Sequence, residues 1–103
     1  MAFQGIQCID GELKGSEIPM EKGQTIIIGR DAKEANLVFR DSTISRKHLL
    51  VELDEDGEYY VTDYSTVGTE IDNGSALESG VRTHLAAGAI LAIGKAGTKV
   101  KLG

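Results

Sequence analysis

The sequence predicts an all-β domain, a sandwich or barrel, and three observations carry that expectation. No segment places apolar residues at helical spacing for ten residues or more. Short apolar, often β-branched stretches recur roughly every eight to twelve residues with turn signals between them. The chain has 103 residues, of which 41% are hydrophobic and 26% charged, enough for one modest core. A single domain over residues 1–103 is expected, a module that can belong to a larger protein.

Taken in order, residues 3–9 mix apolar and polar positions and read as a first strand. Asp10-Gly11 signals a turn. Ile18-Pro19-Met20 is a short extended piece, and its proline confines it to an edge or a strand start. Ile26, Ile27 and Ile28 are consecutive and β-branched, which predicts a strand covered on both faces and ended by Gly29. Asp31 to Asn36 is loop-like, with room for one helical turn at residues 32–35. Leu37-Val38-Phe39 is a short apolar strand. His48 to Leu53 is another, with Leu49, Val51 and Leu53 on one face. The acidic turn at residues 54–57 leads back into Tyr59 to Thr62. Thr69-Glu70-Ile71 forms a short strand, and Asn73-Gly74 is a favoured two-residue hairpin turn. Leu85 to Gly88 leads into Ile90 to Ile93, a turn at residues 94–97, and Lys99 to Leu102.

Composition narrows the function. The net charge of −5 argues against general binding of nucleic acid or anionic membranes. No apolar run approaches the roughly 18–20 residues of a membrane span, and the N-terminus carries no signal-peptide pattern. One cysteine, Cys8, fits a reducing, cytoplasmic setting and reads as a small core hydrophobe. The two histidines and Cys8 match no metal-ligand spacing, and the acidic run at residues 54–56 lacks a Ca²⁺-loop pattern, so neither metal nor cofactor is expected. Charge is unevenly placed. Between Leu49 and Gly80 there are nine acids and no lysine or arginine, whereas residues 30–48 hold five bases and three acids.

That cationic stretch holds the candidate chemistry. Arg30 follows directly on a strand, so its guanidinium fork has a fixed base from which to meet phosphate or carboxylate; an ion pair with Asp31 or Glu34 is the alternative. Ser45-Arg46-Lys47-His48 places a hydroxyl and a cation at a strand entry. A hydrolytic pairing of Ser45 with His48 is disfavoured: no glycine flanks the serine, and no particular carboxylate is marked to orient the imidazole. A structural His48 that fixes loop backbone fits better. Ser65-Thr66-Val67-Gly68-Thr69 supplies further hydroxyls, and Gly68 permits a positive φ or a close backbone approach.

Gly29-Arg30, Ser45-x-x-His48, Ser65-Thr66-x-Gly68-Thr69, Asn73-Gly74 and the closing run from Leu85 to Gly94, in that order and spacing, resemble the forkhead-associated (FHA) domain over nearly the whole chain. The resemblance implies an FHA-type (SMAD/FHA-like) β-sandwich of about eleven strands in two sheets. It also implies a non-catalytic module for protein–protein interaction in Ser/Thr kinase signalling, whose loops bind a phosphothreonine-containing protein or peptide. No nucleic acid, membrane or small-molecule cofactor is implied. By position, Arg30 contacts the phosphate or the peptide backbone, Ser45 donates its hydroxyl, Arg46 adds charge and Thr66 lines the pocket. Thr43 faces peptide residues C-terminal to the phosphothreonine and tunes specificity; Gly29, His48 and Gly68 hold the loops. The family pattern has asparagine where this chain has Val67, and valine supplies neither donor nor acceptor to the peptide backbone. The resemblance therefore implies weakened phosphopeptide binding. An FHA-like scaffold with phosphate-independent protein interaction is the alternative.

Overall fold

The structure, a computed structural model, describes residues 3–72 and 74–103. Ten strands appear among the described residues, against about eleven implied by the resemblance: β1 (Gly5–Asp10), β2 (Glu17–Pro19), β3 (Thr25–Gly29), β4 (Leu37–Val38), β5 (Leu49–Leu53), β6 (Tyr59–Asp63), β7 (Thr69–Ile71), β8 (Thr83–Leu85), β9 (Ile90–Ile93) and β10 (Thr98–Leu102). They form two five-stranded sheets, in the orders β2-β1-β10-β9-β7 and β4-β3-β5-β6-β8. All ladders are antiparallel except the short β3–β4 pair.

The core fills the space between the sheets. Alternation along β5 turns Leu49, Val51 and Leu53 inward, as the sequence predicts. Ile6, Cys8, Leu91, Ile93, Val100 and Leu102 meet them from the other sheet. Cys8 is buried, and burial pushes its thiol above its ordinary pKa. Phe39 and Ile44, in the loop between β4 and β5, are fully buried and pin that loop to the core. Across the sheets, the buried Tyr59 hydroxyl accepts from the Gly5 amide at 2.8 Å.

The triple isoleucine corrects the sequence reading. Only Ile28 is buried; Ile26 and Ile27 are half-buried. In a two-layer sandwich no further layer packs on the outer face of a sheet, so full coverage on both faces is not reached. Pro19 lies in edge strand β2, as expected. Residues 31–35 form one turn, closed by the Ala35 amide on the Asp31 carbonyl at 2.8 Å. The expected Asn73-Gly74 turn includes Asn73, which lies outside the described residues; Gly74 has φ +90° and its amide donates to the Ile71 carbonyl.

Antiparallel pairing sets what is found at each end. β3 runs into Gly29 and Arg30 at the end where β5 begins and β6 finishes. Hence the loops after β3, before β5 and after β6 gather at one end of the sandwich, and the acidic β5–β6 turn lies at the other.

Candidate functional site

Gly29 allows the site loops to close. A Cβ at this position would collide with the carbonyl of Arg46, so only glycine lets the end of β3 lie against the β4–β5 loop. That contact is then bonded: the Arg30 amide donates to the carbonyls of Ser45 and Arg46 at 3.0 and 3.1 Å, and the Asp31 amide to that of Arg46 at 3.3 Å. The Arg30 side chain is aimed by its own Nε–H, which donates to the Ile44 carbonyl at 3.0 Å. Its terminal Nη donors have no hydrogen-bond partner among the described residues. Among the described residues neither Arg30, Arg46 nor Lys47 makes a salt bridge; the pairs found are Arg82–Glu52 and His84–Glu58. Asp31 and Glu34 do not neutralise Arg30.

His48 joins the second loop to the third. Fully buried, its Nδ1 accepts the Ser45 amide at 3.0 Å, so the proton sits on Nε2, which donates to the Gly68 carbonyl at 3.3 Å. Burial pushes the imidazole below its ordinary pKa, against the charges of Asp63 and Asp41 and the Gly68 carbonyl, which pull it up. Neutral imidazole is the form this network requires. The bond to His48 comes from the Ser45 backbone, not from its hydroxyl, so these two residues are not joined as nucleophile and base.

The third loop is organised by a buried carboxylate. Asp63 Oδ1 accepts the Ser65 amide, the Ser65 hydroxyl at 2.7 Å and the Thr69 hydroxyl at 3.1 Å. The Ser65 hydroxyl in turn accepts the Gly68 amide at 2.8 Å, with Gly68 at φ +90°. This arrangement presents Thr66 to Ser45: the Thr66 amide donates to Ser45 Oγ at 3.2 Å, and the two hydroxyl oxygens lie 3.5 Å apart.

Between the loops runs an open groove of about 390 Å³, with Arg30, Ser45, Arg46, Lys47, Thr66 and Val67 in its walls. Five of the positions named from sequence as ligand-facing are thus gathered in it, and Gly29, His48 and Gly68 lie in the contacts that hold it. Thr43 also lines the groove, but its hydroxyl is turned into the scaffold, donating to Asp41 Oδ1 and accepting from the Lys95 amide, both at 2.8 Å. Sequence reasoning missed Asp63, the centre of the third loop, and Lys47, whose ammonium stands 4.2 Å over the Tyr64 ring. Lys47 carried a legible signal as part of the cationic stretch; Asp63 stood among many acids with none.

Similar proteins carry the same architecture. A family model described as FHA domain matches residues 26–94. An FHA domain-containing protein of Arabidopsis thaliana is 26% identical over 87 residues, 84% of this chain and 22% of that protein, so the chain spans about a fifth of the relative's length. The crystal structure of the FHA domain of the CT664 protein from Chlamydia trachomatis superposes with a TM-score of 0.86 at 25% identity, over 98% of this chain and 96% of that one. The MEK1 FHA domain in complex with a phosphothreonine peptide from HOP1 superposes with a TM-score of 0.78 at 26% identity, over 98% and 95%.

Proposed function

The chain belongs to the FHA domain family, and on that premise we propose that it is a non-catalytic module that binds phosphothreonine in partner proteins or peptides, serving protein–protein interaction in Ser/Thr kinase signalling. The observation that carries the reading is the groove itself. Two guanidinium groups without acidic partners among the described residues and two hydroxyls converge there from three loops. A phosphorylated threonine carries about −1.5 to −2 charge and three strong acceptor oxygens, which complements that set. Arg30 supplies Nη donors, Ser45 Oγ has its proton free of the Thr66 amide it accepts, Arg46 adds charge and Thr66 lines the wall. The phosphothreonine peptide bound by the related MEK1 domain supports the ligand class.

The test is calorimetric titration with a phosphothreonine peptide and its unphosphorylated twin. Wild type is expected to bind the first and not the second. Arg30→Ala is expected to lose tenfold to more than a hundredfold in affinity. The reason is the loss of a charge-assisted contact of about 1.5–3 kcal/mol from a site with few others. Undiminished binding by Arg30→Ala would remove it as the anchor, and equal binding of both peptides would favour the phosphate-independent scaffold.

A further inference from the structure

Val67 is an exposed apolar residue in the wall of the groove that holds Arg30, Ser45 and Thr66. Large exposed hydrophobics are few among the described residues: Val38, Tyr64, Val67 and Val81. Singly, such residues need no explanation. Two of the four lie in the single loop between β6 and β7, however, with Val67 42% and Tyr64 45% exposed. Val67 is in the groove wall. Lys47, in the same wall, lays its ammonium over the Tyr64 ring, so its aliphatic stem is drawn toward Tyr64 rather than extended into solvent. The polar donors in the same wall are on Arg30, Ser45, Arg46 and Thr66, and the Thr66 amide is already taken up by Ser45. The groove therefore sets one exposed apolar residue, Val67, in the same wall as donors suited to an anion.

Resting on the phosphothreonine reading above, we propose that the groove selects phosphothreonine peptides with an apolar side chain within two residues of the phosphothreonine, and that Val67 is the specificity-determining residue. Extended peptide advances ~3.3–3.6 Å per residue, so the near neighbours of a phosphothreonine anchored at Arg30 fall within a groove of this size. An apolar neighbour laid on Val67 removes the exposed surface of both from water. A polar neighbour leaves a valine against it that satisfies none of its hydrogen bonds.

The experiment is calorimetric titration with a serine-background phosphothreonine peptide and four variants, each with one leucine at one of the four nearest positions. Wild type is expected to favour leucine over serine by about five- to tenfold at one of these positions. Val67→Thr keeps the β-branched shape, and in it that leucine-to-serine ratio is expected to fall below about twofold. Tyr64→Ala is expected to reduce the ratio without abolishing it. Wild type that binds the serine peptide and all four leucine peptides equally overturns the selectivity and leaves the phosphothreonine reading standing. A ratio unchanged in Val67→Thr overturns the role of Val67. Failure to bind any peptide of the set overturns both readings.

Discussion

His48 ties the loop before β5 to the loop after β6 from beneath the groove, one ring nitrogen to each. The Ser45 bond depends on a neutral ring, because Nδ1 cannot accept once it carries a proton, whereas Nε2–H donates to Gly68 in either form. Burial holds the folded-state pKa below the ordinary 6.5, while the unfolded chain titrates near 6.5. Between these values the unfolded state binds more protons, so stability is fully present above about pH 6.5 and is lost as pH falls below it. Thermal melts of the ligand-free protein from pH 7.5 to 5.5 are expected to show this fall, and His48→Gln is expected to flatten it. A melting temperature equally pH-dependent in both proteins would assign the effect elsewhere. The ligand-free protein is the right sample, because a phosphate's own second pKa of about 6 would add a separate loss of binding. The residue scale is also where sequence and structure part. His48 as loop scaffold was legible, because a histidine at a strand entry without a marked carboxylate has little else to do. The hydroxyl of Thr43 was not: its partners, Asp41 and the Lys95 amide, include one from a turn more than fifty positions away.

Strands with strong apolar alternation could be placed from sequence, and β5 was found with its inward face as expected. β8 (Thr83–Leu85) was not found, because its residues show no apolar period. Pairing makes it a strand, with Leu85 opposite Tyr59, His84 opposite Tyr60 and Thr83 opposite Val61. Its outer face is held by the Arg82 guanidinium 3.7 Å over the Tyr60 ring and by the Tyr60–His84 ring contact. The junctions between elements separate two kinds of glycine. At Gly29 a new Cβ meets the Arg46 carbonyl, which is itself held by the amides of Arg30 and Asp31 and has little room to give. At Gly68 a Cβ meets nothing within 4 Å, but φ is +90°. Gly29→Ala is therefore expected to cost about 2–3 kcal/mol through overpacking, and Gly68→Ala about 1–2 kcal/mol through backbone strain alone. Urea denaturation of the two variants decides the order. A Gly29→Ala protein as stable as wild type would show that the β3 end and the β4–β5 loop need not approach so closely.

At the scale of the molecule the net charge of −5 is a poor guide to what a ligand meets. Arg30, Arg46 and Lys47 lie where β3 ends and β5 begins, and the β5–β6 turn, carrying Asp54, Glu55, Asp56 and Glu58, lies at the opposite end of the five-residue β5, ~17 Å away. The Debye length is ~8 Å at physiological ionic strength, so the distant acids scarcely reduce the potential at the groove. Nearby, the Asp63 carboxylate is buried and engaged by three donors on one oxygen, which keeps it off the groove wall. A phosphopeptide dianion should then be drawn to the groove end although the protein as a whole is acidic. Stopped-flow association with a phosphothreonine peptide is expected to slow by about three- to tenfold between 50 and 500 mM salt, with the dissociation rate changing less. Glu55→Lys and Asp56→Lys together, at the far end, are expected to leave the rate at 150 mM salt within about twofold. Arg46→Glu, at the near end, is expected to lower it severalfold. If the far-end changes sped association as much as Arg46→Glu slowed it, net charge rather than local potential would govern encounter, and the separation of the two ends would have no functional consequence.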